Sequence, residues 1–204
     1  MKLMVAVPTT DYVHAEFTKC LGKLCAELAR NGPQFDLEVV AGTSVHIARE
    51  RIAFRAINEE FTHVLWLDSD MTFSPGIAED LMWCGKDMVC GVFVSRRPPY
   101  QPCVYASIEK DDIRKIEGYG TQPFQVAGCG FAAVMTKTEL LSAVHEKFGT
   151  CFEMTDMYYS EDLAFCKRVQ ELGREIWCDP SVRPGHIAHV PMYAGQAPAG
   201  GAEA

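Results

Sequence analysis

Five residues, His63-Val64-Leu65-Trp66-Leu67, lead directly into Asp68-Ser69-Asp70, and all but the first are strongly apolar. A run this short and this apolar reads as a strand buried on both faces. Strands of that kind belong to parallel sheets covered by helices. The flanking sequence agrees. Residues 3–7 form a second such run. After it, Phe17, Cys20, Leu21, Leu24, Cys25 and Leu28 recur at three- and four-residue steps, which is one face of a helix. Asn31-Gly32-Pro33 supplies its stop. A strand is expected at 37–41. Thr43 or Ser44 then caps a helix over 45–60, with Ile47, Ala48, Ile52, Ala53, Ala56 and Ile57 on its apolar side. Ser74-Pro75 predicts the start of a third helix, with serine as cap and proline in the first position. A strand at 88–94 follows. The first 94 residues thus read βαβαβαβ, a doubly wound α/β layer.

The pattern changes after residue 95. Arg96-Arg97-Pro98-Pro99 opens a polar, turn-rich stretch. Strands are expected at 104–108 and 131–135, a helix at 138–148, and a helix capped by Ser160 with Leu163, Cys166, Val169 and Leu172 on one face. Gly173 ends that helix and a short strand covers 175–178. The tail from Ala194 to Ala204 is small and polar and is expected to be flexible.

A chain of 204 residues with 48% hydrophobic and 23% charged residues is long enough for one domain with a sizeable core. The net charge of −8 argues against binding unmodified nucleic acid through its phosphate backbone, which calls for a basic footprint. No run approaches the roughly 18–20 apolar residues that span a bilayer. The opening MKLMVAVPTT is interrupted by Pro8 and reads as a first buried strand, not a leader, so the expected location is cytoplasmic. The 9 cysteines include no C-x-x-C pair and lie largely in periodic apolar stretches. Reduced, mostly core thiols are expected.

In open α/β sheets ligands bind outside the carboxyl ends of the strands, and Asp68 and Asp70 lie at such an end. Two carboxylates one residue apart can share a hard cation, Mn²⁺ or Mg²⁺, which also accepts substrate phosphates. They would equally suit an ordinary strand end. Arg49, Arg96 and Arg97 are candidates for gripping a diphosphate by bidentate hydrogen bonds. Pro8 and Thr9 end the first strand and could present backbone groups to a base. Among the 6 histidines, His186 and His189 lie in a Gly- and Pro-flanked segment after the final strand, from which an imidazole could reach back to a metal on Asp70.

The segment from Val64 to Met71 resembles the apolar strand and D-x-D motif of GT-A-fold glycosyltransferases of the family-2-like type. Val5-Ala6-Val7-Pro8-Thr9 resembles their first strand and nucleotide-binding turn, and Ile47-Ala48-Arg49-Glu50-Arg51 the helix before the D-x-D. Val126-Ala127-Gly128-Cys129-Gly130-Phe131 is similar to their glycine-containing segment near the acceptor, Ser160-Glu161-Asp162-Leu163 to their E-D motif, and Gly185-His186-Ile187 to a late histidine that completes the metal site. The resemblance covers about residues 1–190. It implies a GT-A-like α/β fold with a mixed central sheet flanked by helices, forming one domain over 1–190. A nucleotide-binding half would span 1–94 and an acceptor half 95–190, with 191–204 as tail. It further implies transfer from a nucleotide-diphosphate sugar (UDP- or GDP-sugar) to an unknown acceptor hydroxyl. Asp68, Asp70 and His186 would hold Mn²⁺ or Mg²⁺, with His186 preferred over His189. Pro8, Thr9, Arg49 and Ser69 would lie against the donor, Asp162 would be the general base, and Glu161 would hold the acceptor or orient Asp162.

Two other classes fit parts of the sequence. Asp68-Ser69-Asp70-Met71-Thr72 also matches the D-x-D-x-T nucleophile motif of haloacid-dehalogenase-type phosphohydrolases, with Asp68 as nucleophile. That motif usually ends the first strand of its domain, whereas two strands precede it here. A non-catalytic module binding a nucleotide or glycan is the third reading.

Overall fold

The computed structural model describes residues 1–154 and 158–188. Residues 155–157, His189 and the tail lie outside the described residues. In chain order the elements are β1 (Lys2–Pro8), α1 (Ala15–Asn31), β2 (Gln34–Val40), α2 (Val45–Asn58), β3 (His63–Leu67), β4 (Met71–Thr72), α3 (Ile77–Trp83), β5 (Met88–Gly91), β6 (Val104–Glu109), β7 (Asp112–Lys115), β8 (Phe124–Val126), β9 (Gly128–Cys129), β10 (Ala133–Lys137), α4 (Thr138–Phe148), α5 (Glu161–Glu171), β11 (Ile176–Asp179) and β12 (Gly185–His186).

A seven-stranded sheet in the order β2-β1-β3-β10-β5-β11-β8 forms the middle layer. β1 runs parallel to β2 and β3, and β11 parallel to β5, while β10 is antiparallel to both β3 and β5. The sheet is therefore mixed. β5 does not lie beside β3, as a doubly wound reading of the first 94 residues would place it, because β10 is inserted between them. Apolar residues on both faces of a strand specify burial, but they carry no information about which neighbour it takes or in which direction.

Side chains of successive strand residues point to opposite faces. Met4, Ala6, Val64 and Trp66 pack with Ile52 and Ala56 of α2, Leu140, Leu141 and Val144 of α4, and Phe165 and Val169 of α5. Leu3, Val5, Val7, Leu65 and Leu67 pack with Phe17, Leu24 and Leu28 of α1 and Ile77 and Leu81 of α3. The result is a three-layer sandwich. Its centre on the first face is aromatic: Trp66, Phe131, Phe152 and Phe165 pack with ring centroids 4.8–5.9 Å apart. The indole N–H of Trp66 donates to Thr136 Oγ1 at 2.9 Å, so this buried polar atom is satisfied.

Element limits differ from expectation at several places. β2 begins at Gln34 and is half exposed, as suits an edge strand. The third helix begins at Ile77, because Ser74 and Pro75 form a turn in which the Ile77 N–H donates to the Ser74 carbonyl. β5 ends at Gly91, where a Cβ would come within 2.8 Å of the Val182 carbonyl oxygen, so the segment leading to β12 crosses close over it. Nine free cysteines are present, five of them buried. Among the described residues no helix is long and apolar enough to cross a membrane.

Candidate functional site

The carboxyl ends of β1 and β3, the approach to β10 and the first turn of α5 meet at one edge of the sheet. Asp68 follows β3, and its N–H donates to the Ala132 carbonyl at 3.2 Å, just before β10. The Asp68-Ser69-Asp70 turn is fastened to the loop after β1. Thr9 Oγ1 lies 2.9 Å from the Tyr12 carbonyl and 3.1 Å from Ser69 Oγ, and the His14 N–H donates to the Ser69 carbonyl at 3.2 Å. Thr9 and Ser69 thus lie together beside the two aspartates, and Pro8 precedes Thr9 at the buried end of β1.

β4 follows the turn at once and pairs antiparallel with β12, setting His186 opposite Met71 and Gly185 opposite Thr72. The Ile187 N–H donates to the Asp70 carbonyl at 2.8 Å. At Gly185 a Cβ would meet Thr72 Oγ1 at 2.6 Å, so this close approach needs glycine. It is the physical reason for a glycine directly before His186. The imidazole Nδ1 is 2.9 Å from the Val94 carbonyl oxygen. A carbonyl can only accept, so Nδ1 carries the hydrogen. Nε2 then faces Asp70 Oδ2 at 3.4 Å. A backbone carbonyl that fixes the tautomer and leaves the other ring nitrogen toward a carboxylate is the arrangement found around metal-ligating histidines.

Asp70 Oδ2 also forms an ion pair with Arg96, whose Nη1 lies 2.7 Å away. Burial works against the charged form of Asp70, but the hydrogen bond from His186 and the charges of His186 and Arg96 outweigh it, and the carboxyl lies below its ordinary pKa. Burial likewise opposes charge on His186, yet its bonds to Asp70 and Val94 raise it above the usual imidazole value.

Arg49 lies on the apolar stripe of α2 with Ile52, Ala53 and Ala56, and its side chain is 3% exposed. Its guanidinium donates to Asp68 Oδ1 at 2.8 Å through Nη2 and to Glu161 Oε1 through Nη1. The group lies over the Phe131 ring at 5.3 Å. The site was expected to use Arg49 as a phosphate ligand. In this structure its guanidinium joins the D-x-D turn to the first turn of α5. Burial lowers the Arg49 pKa, but Asp68, Glu161 and Asp162 together hold it above normal. Partial burial raises Asp68 and Glu161 above ordinary carboxylates even with Arg49 opposing.

Asp162 Oδ1 accepts from the Leu163 N–H at 2.8 Å and from the Ser160 hydroxyl. Its Oδ2 lies 3.5 Å from the point where a Gly130 Cβ would stand. The same Cβ would meet Phe93 Cζ at 2.9 Å and Cys103 Cβ at 3.5 Å. Asp162 Oδ2, Phe93 and Cys103 therefore pack closely about Gly130.

The structure thus brings Thr9, Ser69, Asp68, Asp70, His186, Arg49, Glu161 and Asp162 to one edge. Phe93, Cys103 and the Arg96 contact with Asp70 were not foreseen. The signal for Arg49 was present, since a lone charged residue on an apolar stripe must be paired inside. Asp68, Asp70 and His186 do not close into a tight triad. Among the described residues, the one group of three whose ligand atoms all lie within 4.8 Å of one another is Glu50, His145 and Cys151. There both Glu50 oxygens accept from the Cys151 N–H (3.0 and 2.9 Å), and one of them also from the Phe152 N–H (2.6 Å). The Cys151 thiol donates to the Leu141 carbonyl. Burial pushes that thiol up to about 12, against the thiolate a metal requires. Glu50 is read as the anchor of the turn after α4.

Asp70 and His186 are of the donor types that a hard divalent ion takes, and their ligand atoms lie 3.4 Å apart. Asp68 gives one oxygen to Arg49, which leaves the other for this role.

No family model matches the sequence, and no curated protein matches it. Solved structures do resemble it in fold. A197 from STIV matches with a TM-score of 0.59 and 17% identity over 93% of this chain and 87% of that one. GalNAc-T7, crystallised with UDP, GalNAc and Mn²⁺, matches with a TM-score of 0.56 and 10% identity, over 97% of this chain but only 45% of its own. A nucleoside-diphosphate-sugar pyrophosphorylase from Vibrio cholerae RC9 gives 0.52 and 10% identity, over 87% and 91%. The chain therefore shares a mixed α/β fold with a glycosyltransferase and with a nucleotide-sugar pyrophosphorylase.

Proposed function

We propose that the protein is a metal-dependent glycosyltransferase that moves a sugar from a UDP- or GDP-sugar to an acceptor hydroxyl. The observation that carries this reading is the convergence at the sheet edge. Four carboxylates, Asp68, Asp70, Glu161 and Asp162, meet two guanidinium groups, Arg49 and Arg96, and one imidazole oriented on Asp70. Once His186 gives up a proton to act as a neutral ligand, four carboxylates against two guanidinium groups leave two negative charges, the complement of one divalent ion. Asp70 and His186 would hold Mn²⁺ or Mg²⁺, assisted by Asp68. Such an ion, when bound, neutralises charge on the departing diphosphate.

The chain's own groups do the rest. The end of β1 at Pro8 and Thr9, with Ser69, would lie against the nucleoside. Asp162 keeps Oδ1 tied to Ser160 and Leu163, which leaves Oδ2 for the acceptor. Asp162 takes the proton of the acceptor hydroxyl as that oxygen bonds to the anomeric carbon and the carbon–diphosphate oxygen bond breaks. Glu161, held by Arg49, fixes the first turn of α5 and so the direction of Asp162.

Asp68 as a phosphohydrolase nucleophile is disfavoured, because Arg49 holds one of its oxygens and the motif ends the third strand of the chain. Nucleotidyl transfer is disfavoured by the loop after β1, residues 9–14, which carries no glycine, lysine or arginine. The test is nucleoside-diphosphate release from UDP- and GDP-sugars with Mn²⁺. Asp70→Ala should abolish it, and intact activity in that variant rejects the reading.

A further inference from the structure

Arg96 occupies an unusual position for a residue meant to bind phosphate. Its Nη1 lies 2.7 Å from Asp70 Oδ2, the same oxygen that faces His186 Nε2 at 3.4 Å. A guanidinium charge therefore lies against the carboxylate oxygen a divalent ion would need. The Arg96 side chain is 58% exposed, so little packing holds it there. The loop beneath it is well fixed: the Ser95 N–H donates to the Gln101 carbonyl at 3.0 Å, Ser95 Oγ to the Arg97 carbonyl at 3.0 Å, and the Tyr100 N–H to the same carbonyl at 3.0 Å. A cleft of about 440 Å³ lined by Ser95, Arg96, Arg97 and Ile187 opens beside the pair. A fixed loop base with an exposed arginine tip allows a change of partner without refolding.

An arginine and a divalent ion cannot share one carboxylate oxygen without strong repulsion. A diphosphate, by contrast, is a bidentate acceptor as good for arginine as the carboxylate it would leave. We propose that Arg96 is the exchangeable counter-ion of Asp70: it leaves Asp70 when a divalent cation binds, and moves to the diphosphate that arrives with that cation, with Arg97 lining the same cleft. Arg96 thereby makes the metal and the nucleoside diphosphate bind cooperatively, each weakly alone and tightly together. This rests on the glycosyltransferase reading only in its metal and diphosphate, not in its acceptor chemistry.

The experiment is calorimetric titration of Mn²⁺ into the wild type, Arg96→Gln and Arg97→Gln, each without and with saturating UDP or GDP. No turnover is involved. Without nucleotide, Arg96→Gln should bind Mn²⁺ about five- to tenfold more tightly than the wild type, because the competing cation is gone. With nucleotide it should lose most of that advantage, so that the gain in Mn²⁺ affinity caused by UDP or GDP shrinks at least tenfold. Arg97→Gln, which does not touch Asp70, should leave Mn²⁺ affinity alone unchanged and weaken only the ternary complex. Equal or weaker Mn²⁺ binding by Arg96→Gln without nucleotide overturns the inference while leaving the metal site standing. No Mn²⁺ binding by any of the three, with or without nucleotide, overturns the inference and the glycosyltransferase reading together.

Discussion

Arg49, on the buried face of helix α2, donates to Glu161 in the first turn of α5, 112 residues further along the chain. The same guanidinium holds Asp68. One buried cation thus ties the donor-side turn to the helix that carries Asp162. Removing one member of a buried ion group leaves the others uncompensated, at a cost of about 3–5 kcal/mol. Arg49→Met is expected to lose roughly that much in urea denaturation. Arg49→Lys should recover only part, since an ammonium is a point charge that cannot span two carboxylates as a planar fork does. A loss under about 1 kcal/mol for Arg49→Met would show that the ion group does not hold these elements together.

The His186–Asp70 pair gives a pH signature in the metal-free protein. His186 is raised above its unfolded value, so its contribution is present below about pH 6.5 and fades as the pH rises through the raised folded value. Asp70 is lowered, so its contribution is present above about pH 4 and is lost as the pH falls through the depressed value. Wild type should therefore exceed His186→Ala in stability most clearly between about pH 4 and 6.5, by about 1 kcal/mol, with the gap narrowing toward pH 8. Denaturant midpoints at pH 5 and pH 8 check this. A gap that widens at pH 8 contradicts it.

Gly185 offers a structural test of the histidine's placement. A methyl group there would press on Thr72 Oγ1. Gly185→Ala should move β12 and weaken Mn²⁺ binding about tenfold, with little change in the unfolding midpoint because the position is exposed. Adding Thr72→Ala removes the hydroxyl and should restore much of the affinity. If the double variant binds no better than Gly185→Ala, the clash is not what sets the site.

Thiol chemistry probes the core independently. Five cysteines are buried, and Cys20, Cys25, Cys84 and Cys103 are partly exposed. Burial raises Cys25 and Cys103, and burial with the neighbouring Asp179 carboxylate lifts Cys84 to about 11. At pH 7.5 a maleimide should label Cys20 first and no more than these four in the native state, and all nine in denaturant. Rapid labelling of Cys90 or Cys178 would contradict the packing of β5 against β11.

Much of this fold was legible in the sequence because hydrophobic period fixes element type. The apolar run before Asp68, the spaced leucines of α1 and the stop at Asn31-Gly32-Pro33 all mark elements that the structure contains. Strand order was not legible. β10 lies between β3 and β5 although both are continuous apolar runs, because burial on two faces says nothing about the neighbour along the hydrogen-bonding direction. At the site, the sequence pointed to His186 beside Asp70, and Gly185 was a visible cue. It could not show that Arg96 lies on Asp70, because that contact depends on how the 95–101 loop turns back. Nor did it show which of its partners Arg49 faces. Its place on an apolar stripe announces an internal partner, but the partner at position 161 is brought near only by the packing of α2 and α5 on the same face of the sheet.

The central claim is that Asp70 and His186 grip a divalent ion that in turn grips a diphosphate. The most direct measurement is anomalous diffraction from crystals soaked with Mn²⁺ and UDP. The account predicts one strong manganese peak within bonding distance of Asp70 Oδ2 and His186 Nε2, contacted by both phosphates, with Arg96 withdrawn from Asp70. A peak at Glu50, His145 and Cys151 instead, or UDP bound at the sheet edge with no manganese beside Asp70, would contradict it.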